Sequence, residues 1–169
     1  MQTTKTLIVV RHAKSSWKYP ALSDLDRPLN KRGKRDAPMM AKIMCQKNIR
    51  IDSILSSPAQ RTLKTAYAFA KAIEFPLNQI IINAAIYEVT AKDLLLTIQQ
   101  NFNDEWQNVL VFGHNYCCTE LANWYAEDPI ENIPTCGFVA IDFNQAKWAS
   151  INKINGRIRF YEYPKKQLD

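Results

Sequence analysis

Four short apolar runs constrain this chain more than any other feature: Leu7 to Val10, Ile51 to Leu55, Gln79 to Ile82 and Val109 to Phe112. Each is brief and continuous rather than alternating, as expected of strands covered on both faces. Between them lie stretches of helical spacing. Ala37, Met40 and Met44 recur at three to four residues in a stretch reaching Lys47, and Leu63, Ala66, Ala70 and Ile73 do the same. Asp93 to Ile98 and Glu120 to Tyr125 are shorter helical candidates. Strands alternating with helices predict βαβ units and an α/β fold, a three-layer α/β/α sandwich around a mainly parallel central sheet. After Pro134 the pattern changes to Phe138, Ala140 and Asp142, then Ile158 to Tyr163, with Asn155-Gly156 between them. These read as antiparallel strands at one edge. Residues 164–169, from Pro164 onward, read as a frayed tail.

A length of 169 residues suits one domain. No repeat, linker or low-complexity stretch divides the chain, so a single domain over 1–169 is expected. With 47% hydrophobic residues and only four glycines, disordered and fibrous classes are excluded. Leu7 to Val10 is too short for a signal sequence, and no run approaches the ~18 apolar residues of a membrane span. A cytoplasmic location without a membrane partner follows. The net charge of +6 favours anionic partners. Its basic residues are spread from Lys5 to Lys166 without a zinc-finger or RNP-type sequence, which argues against nucleic acid. The densest group, Lys31, Arg32, Lys34 and Arg35, reads as a solvated helix start. Cys45, Cys117, Cys118 and Cys136 form no CxxC pair, and two histidines supply a zinc site poorly. Free thiols, no metal and no cofactor are expected.

The chemistry gathers at the ends of the runs. The first is followed by Arg11-His12-Ala13-Lys14-Ser15-Ser16-Trp17 and the fourth by Gly113-His114-Asn115. Both histidines of the chain therefore sit directly after a buried strand, and on one edge if those strands are parallel. In open α/β sheets that carboxyl edge is where ligands bind. The second run is followed by Ser56-Ser57-Pro58, which places Arg61 in the first turn of the next helix. A basic residue opposes the helix dipole there, so a negative group is expected nearby. A phosphate would serve, with free N–H groups adding to the arginine fork. Taken singly, His12 or His114 reads as a structural histidine and Arg61 as a surface charge. Their joint placement reads as a site.

These residues carry a family resemblance. Arg11-His12-Ala13-Lys14-Ser15-Ser16-Trp17, Asp26-Arg27-Pro28-Leu29 with Arg32-Gly33, Ser56-Ser57-Pro58 with Arg61, Gly113-His114-Asn115, and Pro134-Thr135-Cys136-Gly137 occur in that order over about positions 6 to 140. The chain thereby resembles the histidine phosphatase superfamily, in particular its small phosphohistidine phosphatase branch of the SixA type. The resemblance implies a phosphoglycerate-mutase-like fold. It also implies that His12 accepts the phosphoryl group, that Arg11 and Arg61 hold its oxygens and that His114 contacts them. Histidine suits a covalent intermediate that divides one hard displacement into two easier ones, and phosphoryl transfer needs chiefly positioning and charge stabilisation. Two neighbouring arginines are expected to lower the His12 pKa and keep its attacking nitrogen unprotonated near neutral pH, with activity falling on acidification between pH 8 and 5.

Glu88 stands where the superfamily often places the acid that protonates a leaving group, with Asp24 and Asp26 in reserve. Lys14, Ser15 and Ser16 either line the phosphate loop or form its turn. Asp26 and Arg27 read as a loop-ordering ion pair, and Trp17 as packing or rim. Cys117 and Cys118 could have lowered pKa values at a helix start, but read better as small buried hydrophobes. Tyr116-Cys117 departs from the Pro-Gly that relatives commonly carry, which bears on the loop beside His114. Between Arg61 and His114 the chain is used by a helix, a strand and a short helix, leaving no room for a lid. An open pocket suits phosphate displayed on a protein, so the expected function is a phosphohistidine or phosphoprotein phosphatase. The alternatives are a small-molecule phosphomonoesterase or mutase acting on a phosphorylated metabolite, and a noncatalytic phosphate-binding module.

Overall fold

The computed structural model describes residues 4–168. In chain order it contains β1 (Lys5–Arg11), α1 (Lys31–Gln46), β2 (Ser53–Ser56), α2 (Gln60–Ala72), β3 (Ile81–Ile82), α3 (Ala91–Asn101), β4 (Asn108–Gly113), α4 (Cys117–Asn123), β5 (Phe138–Phe143), β6 (Gly156–Glu162) and α5 (Pro164–Leu168). The strands form one sheet in the order β3-β2-β4-β1-β5-β6. β3, β2, β4 and β1 run parallel, while β5 and β6 are antiparallel additions at one edge. This is the expected α/β architecture.

Alternation along the central strands divides the core into two layers. On one face Ile8, Val10, Ile54, Leu110, Phe112 and Phe138 pack against Met40, Met44, Phe69 and Ala70 of α1 and α2. Phe69 meets Phe112 and Phe138 edge-on at centroid distances of 5.1 and 5.9 Å, a favoured aromatic geometry. On the other face Leu7, Val9, Val109, Val111 and Val139 pack against Leu94 and Ile98 of α3 and Leu121 of α4, with Trp148 fully buried beside them. Continuous apolar runs are thus explained, because each strand residue has a helix layer above or below it.

The fold brings three neighbouring parallel strands to a common edge. Val10 and Arg11 of β1 lie in register with Phe112 and Gly113 of β4, and Ser56 of β2 pairs with Phe112 from the other side. The chain leaves all three strands there. His12 N–H donates to the Gly113 carbonyl at 3.1 Å and Ser57 N–H to that of Phe112 at 3.2 Å, so the first residue beyond β1 and beyond β2 is still anchored to β4. After β1 the backbone also abuts α1. A Cβ on Gly33 would lie 2.2 Å from the Lys14 carbonyl oxygen, a contact only glycine allows. The Asn30 side chain caps α1 by accepting from Gly33 N–H at 2.9 Å.

Three local expectations are corrected. The run Gln79 to Ile82 yields only the two-residue β3, preceded by a 3-10 turn over Leu77–Gln79, and Ile81 and Ile82 are exposed because no helix covers this edge. Residues 164–168 are not frayed but form α5; Asp169 lies outside the described residues. Pro164 is buried, with a preset φ that suits a helix start. Gln167 donates to Glu162 Oε2 at 2.8 Å, and Lys166 reaches the same carboxylate at 3.2 Å. Finally, α4 begins at Cys117, earlier than Glu120, because Asn115 Oδ1 accepts from both the N–H and the hydroxyl of Thr119, at 3.2 and 2.7 Å.

Candidate active site

At the carboxyl edge a cavity of about 220 Å³ is lined by Arg11, His12, Asp24, Arg27, Arg61, Glu88, His114 and Asn115, with Ile86, Val89 and Cys117. Larger hollows elsewhere on the surface lack any histidine. Arg11, His12, Arg61 and His114 therefore converge, although they come from three separate strand ends.

Each is oriented by its own contacts. His12 is buried, and its Nδ1 lies 2.7 Å from the carbonyl oxygen of Ala13. A carbonyl only accepts, so Nδ1 carries the proton and Nε2 keeps its lone pair. That lone pair faces the Nε–H of Arg61 at 3.4 Å. The His114 ring lies 5.3 Å from that of His12 between centroids. His114 Nδ1 accepts from Arg61 Nη2 at 3.3 Å, so its Nε2–H donates to Ser57 Oγ at 2.6 Å, and Ser57 in turn donates to Thr62 Oγ1 at 3.1 Å. Arg11 donates from Nη1 to the Ile133 carbonyl at 2.7 Å, while its Nε is buried without a partner.

Burial is the main cause of the histidines' electrostatics. Loss of water, then the neighbouring His114, Arg61 and Arg11, holds the His12 pKa down at about 3 from 6.5; only the bond to Ala13 opposes this. Burial and Arg61 hold His114 at about 4. Both imidazoles are thus neutral over the whole range from pH 8 to 5. The expected loss of activity through His12 protonation in that window is corrected: desolvation outweighs the arginines and moves the titration lower. The thiols shift the other way. Burial first, then Glu120, pushes Cys117 up to about 12, and burial also raises Cys118. Neither is an activated cysteine, despite their place at the start of α4.

The remaining sequence candidates divide. Glu88 lines the cavity, exposed, with a left-handed backbone (φ 52°) that glycine adopts more cheaply. Asp24 lines it too, and Asp26 does not; the Asp26 carboxylate accepts from Ser23 Oγ at 2.9 Å instead. The ion pair expected between Asp26 and Arg27 is formed by Asp24 and Arg27, at 3.0 Å. Lys14 and Ser15 lie outside the lining. The Lys14 carbonyl accepts from Asn30 N–H at 3.0 Å, and Ser15 Oγ accepts from Arg27 Nη1 at 2.6 Å, so both shape the loop behind the cavity. Trp17 is exposed and stacks on the Arg27 guanidinium, 3.7 Å from the ring centroid.

Three residues of the site were not found by pattern reading. Arg27 has no strand or helix period to mark it. Tyr87, whose hydroxyl donates to Asp24 Oδ2 and whose ring meets His114 edge-on at 5.3 Å, reads in sequence only as the neighbour of Glu88. Ser57 holds His114 through a contact 57 positions apart. The negative group called for near Arg61 is present: Arg61 Nη2 donates to Asp24 Oδ2 at 2.9 Å and Nη1 to the Asp24 carbonyl at 2.6 Å.

The fold and the cavity define an α/β protein whose paired imidazoles and guanidinium groups line one cavity at the ends of parallel strands. The family model of the histidine phosphatase superfamily (branch 1) matches residues 7–95, and the chain belongs to that superfamily. An uncharacterized chloroplastic protein of Arabidopsis thaliana is 28% identical over 160 residues, covering 90% of this chain and 73% of that protein. The SixA protein of Agrobacterium tumefaciens is similar in structure with a TM-score of 0.77 at 26% identity, over 95% of this chain and 98% of that one. The protein histidine phosphatase SixA in complex with tungstate shares the fold, with a TM-score of 0.77 at 19% identity, over 96% and 99% of the two chains.

Proposed function

We propose that this chain is a phosphatase that passes the phosphoryl group of a phosphorylated protein side chain, phosphohistidine foremost, through a covalent intermediate on His12. The observation that carries this reading is the fixed tautomer of His12. Its Nδ1–H is tied to Ala13, and its Nε2 lone pair points into a cavity edged by three arginines and His114.

In the first step His12 Nε2 attacks phosphorus, the bond from phosphorus to the leaving atom breaks, and its electron pair departs with the leaving group. Arg11 and Arg61 hold the equatorial oxygens. A unit charge pair at 4 Å is worth about 4 kcal/mol at an effective dielectric of 20, so each guanidinium matters by orders of magnitude in rate. His114 contacts the same oxygens once the phosphoryl dianion favours its charged form and Nδ1 takes up a proton in place of the bond from Arg61 Nη2. Water then attacks the phosphorus of phospho-His12, the P–N bond breaks, and inorganic phosphate leaves. Glu88 supplies the proton for an alkoxide leaving group. An imidazole leaving group needs less help, which fits a carboxylate at the mouth of the cavity rather than buried beside the nucleophile.

A protein substrate fits the rim. Trp17, Tyr19, Leu22 and Leu25 are exposed on the loop that supplies Asp24 and Arg27, and Tyr116 is exposed beside Asn115. A cavity of about 220 Å³ encloses a phosphoryl group and little more, so the rest of the substrate lies on this apolar rim. One domain without a lid and a cytoplasmic location belong to the same proposal. The four free cysteines fit a reducing compartment.

The test is a substrate panel with wild type and His12→Ala. Expected is hydrolysis of a phosphohistidine-bearing protein with kcat/KM well above that for small phosphomonoesters, and no turnover by His12→Ala. Faster turnover of small phosphomonoesters points to the metabolite phosphatase or mutase. Phosphate binding without turnover of anything leaves the noncatalytic module.

A further inference from the structure

Resting on that phosphatase reading, we infer that Arg27 is a third phosphate-binding guanidinium, held in readiness by Asp24, whose carboxylate occupies part of the anion site and leaves when substrate arrives. Arg61 as it stands cannot hold a phosphoryl group well. Its Nη1 and Nη2 are both spent on Asp24, at 2.6 and 2.9 Å, and its Nε faces His12. To bind substrate oxygens it must release a partner. The carboxylate is the replaceable one.

Asp24 bridges three donors of the cavity wall, Arg27, Arg61 and Tyr87. Its Oδ1 accepts from Arg27 Nε at 3.0 Å, and its Oδ2 accepts from Arg61 Nη2 at 2.9 Å and from the Tyr87 hydroxyl. A carboxylate between two guanidiniums and a phenol occupies the place of a tetrahedral anion's oxygens, but with half the charge of a phosphoryl dianion. The same three donors prefer the dianion.

The two sides of this contact differ in freedom. Arg27 is 9% exposed and pinned on its other sides, by Ser15 Oγ at 2.6 Å and by the Trp17 ring at 3.7 Å. Arg61 is 4% exposed. The Asp24 side chain is 40% exposed and sits on a three-residue 3-10 turn, Asp24–Asp26. The guanidiniums stay and the carboxylate swings outward, where water solvates it. Arg27 Nε, Arg61 Nη2 and the Tyr87 hydroxyl then turn their hydrogen bonds to phosphate. Asp24 is a placeholder in this scheme, which keeps the cationic wall ordered while the site is empty.

Opposite effects of two substitutions test the exchange. Inorganic phosphate is titrated calorimetrically into wild type, Asp24→Asn, Arg27→Lys and Arg27→Ala. Asp24→Asn, having lost the competing charge, should bind phosphate roughly tenfold tighter, and Arg27→Ala at least about tenfold weaker with Arg27→Lys between them, the scale of one charge-assisted hydrogen bond. If the pair only orders its loop, both changes weaken binding together and lower the melting temperature together. That outcome overturns the inference, as does phosphate affinity within twofold of wild type in Arg27→Ala or in Asp24→Asn. Binding is read without turnover. A chain that binds phosphate with these opposite shifts yet never forms a phosphoenzyme therefore refutes the phosphatase reading and leaves the exchange standing.

Discussion

Acidification from pH 7.5 to 5.5 should weaken the fold measurably while leaving both active-site imidazoles uncharged. His12 and His114 have folded pKa values of about 3 and about 4 against an ordinary 6.5. Between those limits the unfolded chain binds more protons than the folded one, so this part of the stability is fully present above pH 6.5 and is lost as pH falls towards the folded values. At pH 5.5, one unit below the ordinary value, each histidine withholds on the order of 1 kcal/mol, so the pair accounts for a loss of roughly 2–3 kcal/mol over two pH units. Asp24 and Glu162 have lowered pKa values as carboxylates, so their contributions are lost only at lower pH and the window isolates the histidines. Urea unfolding in phosphate-free buffer at the two pH values gives the stability difference. The chain has two histidines, so a proton NMR titration shows two imidazole Cε1–H signals, and neither should move between pH 8 and 5. Midpoints near 6.5 with flat stability would refute the reasoning, because they would mean the rings are solvated in the folded state.

Arg61→Ala should lower kcat/KM at least ~100-fold, since it removes a guanidinium that also positions both imidazoles; steady-state kinetics on a phosphohistidine protein checks this. Glu88→Gln should slow phosphoester hydrolysis ~100-fold or more while changing phosphohistidine hydrolysis little, and equal effects on both substrates would remove Glu88 from leaving-group protonation. Gly33→Ala should destabilise the fold by about 1–3 kcal/mol, the range for forcing an extra methyl into a packed contact, because its Cβ would press on the Lys14 carbonyl. Thermal unfolding measures it, and a Tm equal to wild type would show that the 13–16 loop moves freely.

The parts of this molecule that were readable in sequence are those governed by short-range rules. Leu7 to Val10 and Val109 to Phe112 are apolar because helices cover both sides of β1 and β4, and the polar residues that follow them emerge at the carboxyl edge. Arg11, His12 and His114 could be placed for that reason, and Arg61 because Ser57 and Pro58 end a strand just before its helix. Arg27 and Tyr87 could not, and Asp24 could be named only as a reserve acid, not as the partner of Arg61. They come from a loop and a turn with no period, and Asp24 meets Arg61 across 37 positions of chain and Tyr87 across 63. The strand at Ile81 and Ile82 was legible but its exposure was not, because an apolar run does not say whether a helix lies above it. The short α5 was missed because its order comes from Glu162 on a neighbouring strand. The direction of the His12 pKa was legible from its arginines, but its size follows mainly from burial, which a lone sequence does not reveal.

The most direct measurement exposes the protein to a phosphohistidine donor labelled with radioactive phosphorus, quenches it in alkali within milliseconds, and maps the label by peptide analysis. The expected result is an alkali-stable, acid-labile phosphoramidate on His12, absent from His12→Ala and undiminished by alkylation of the thiols. Label on His114 or on a cysteine, or label of the same yield in His12→Ala, would contradict it.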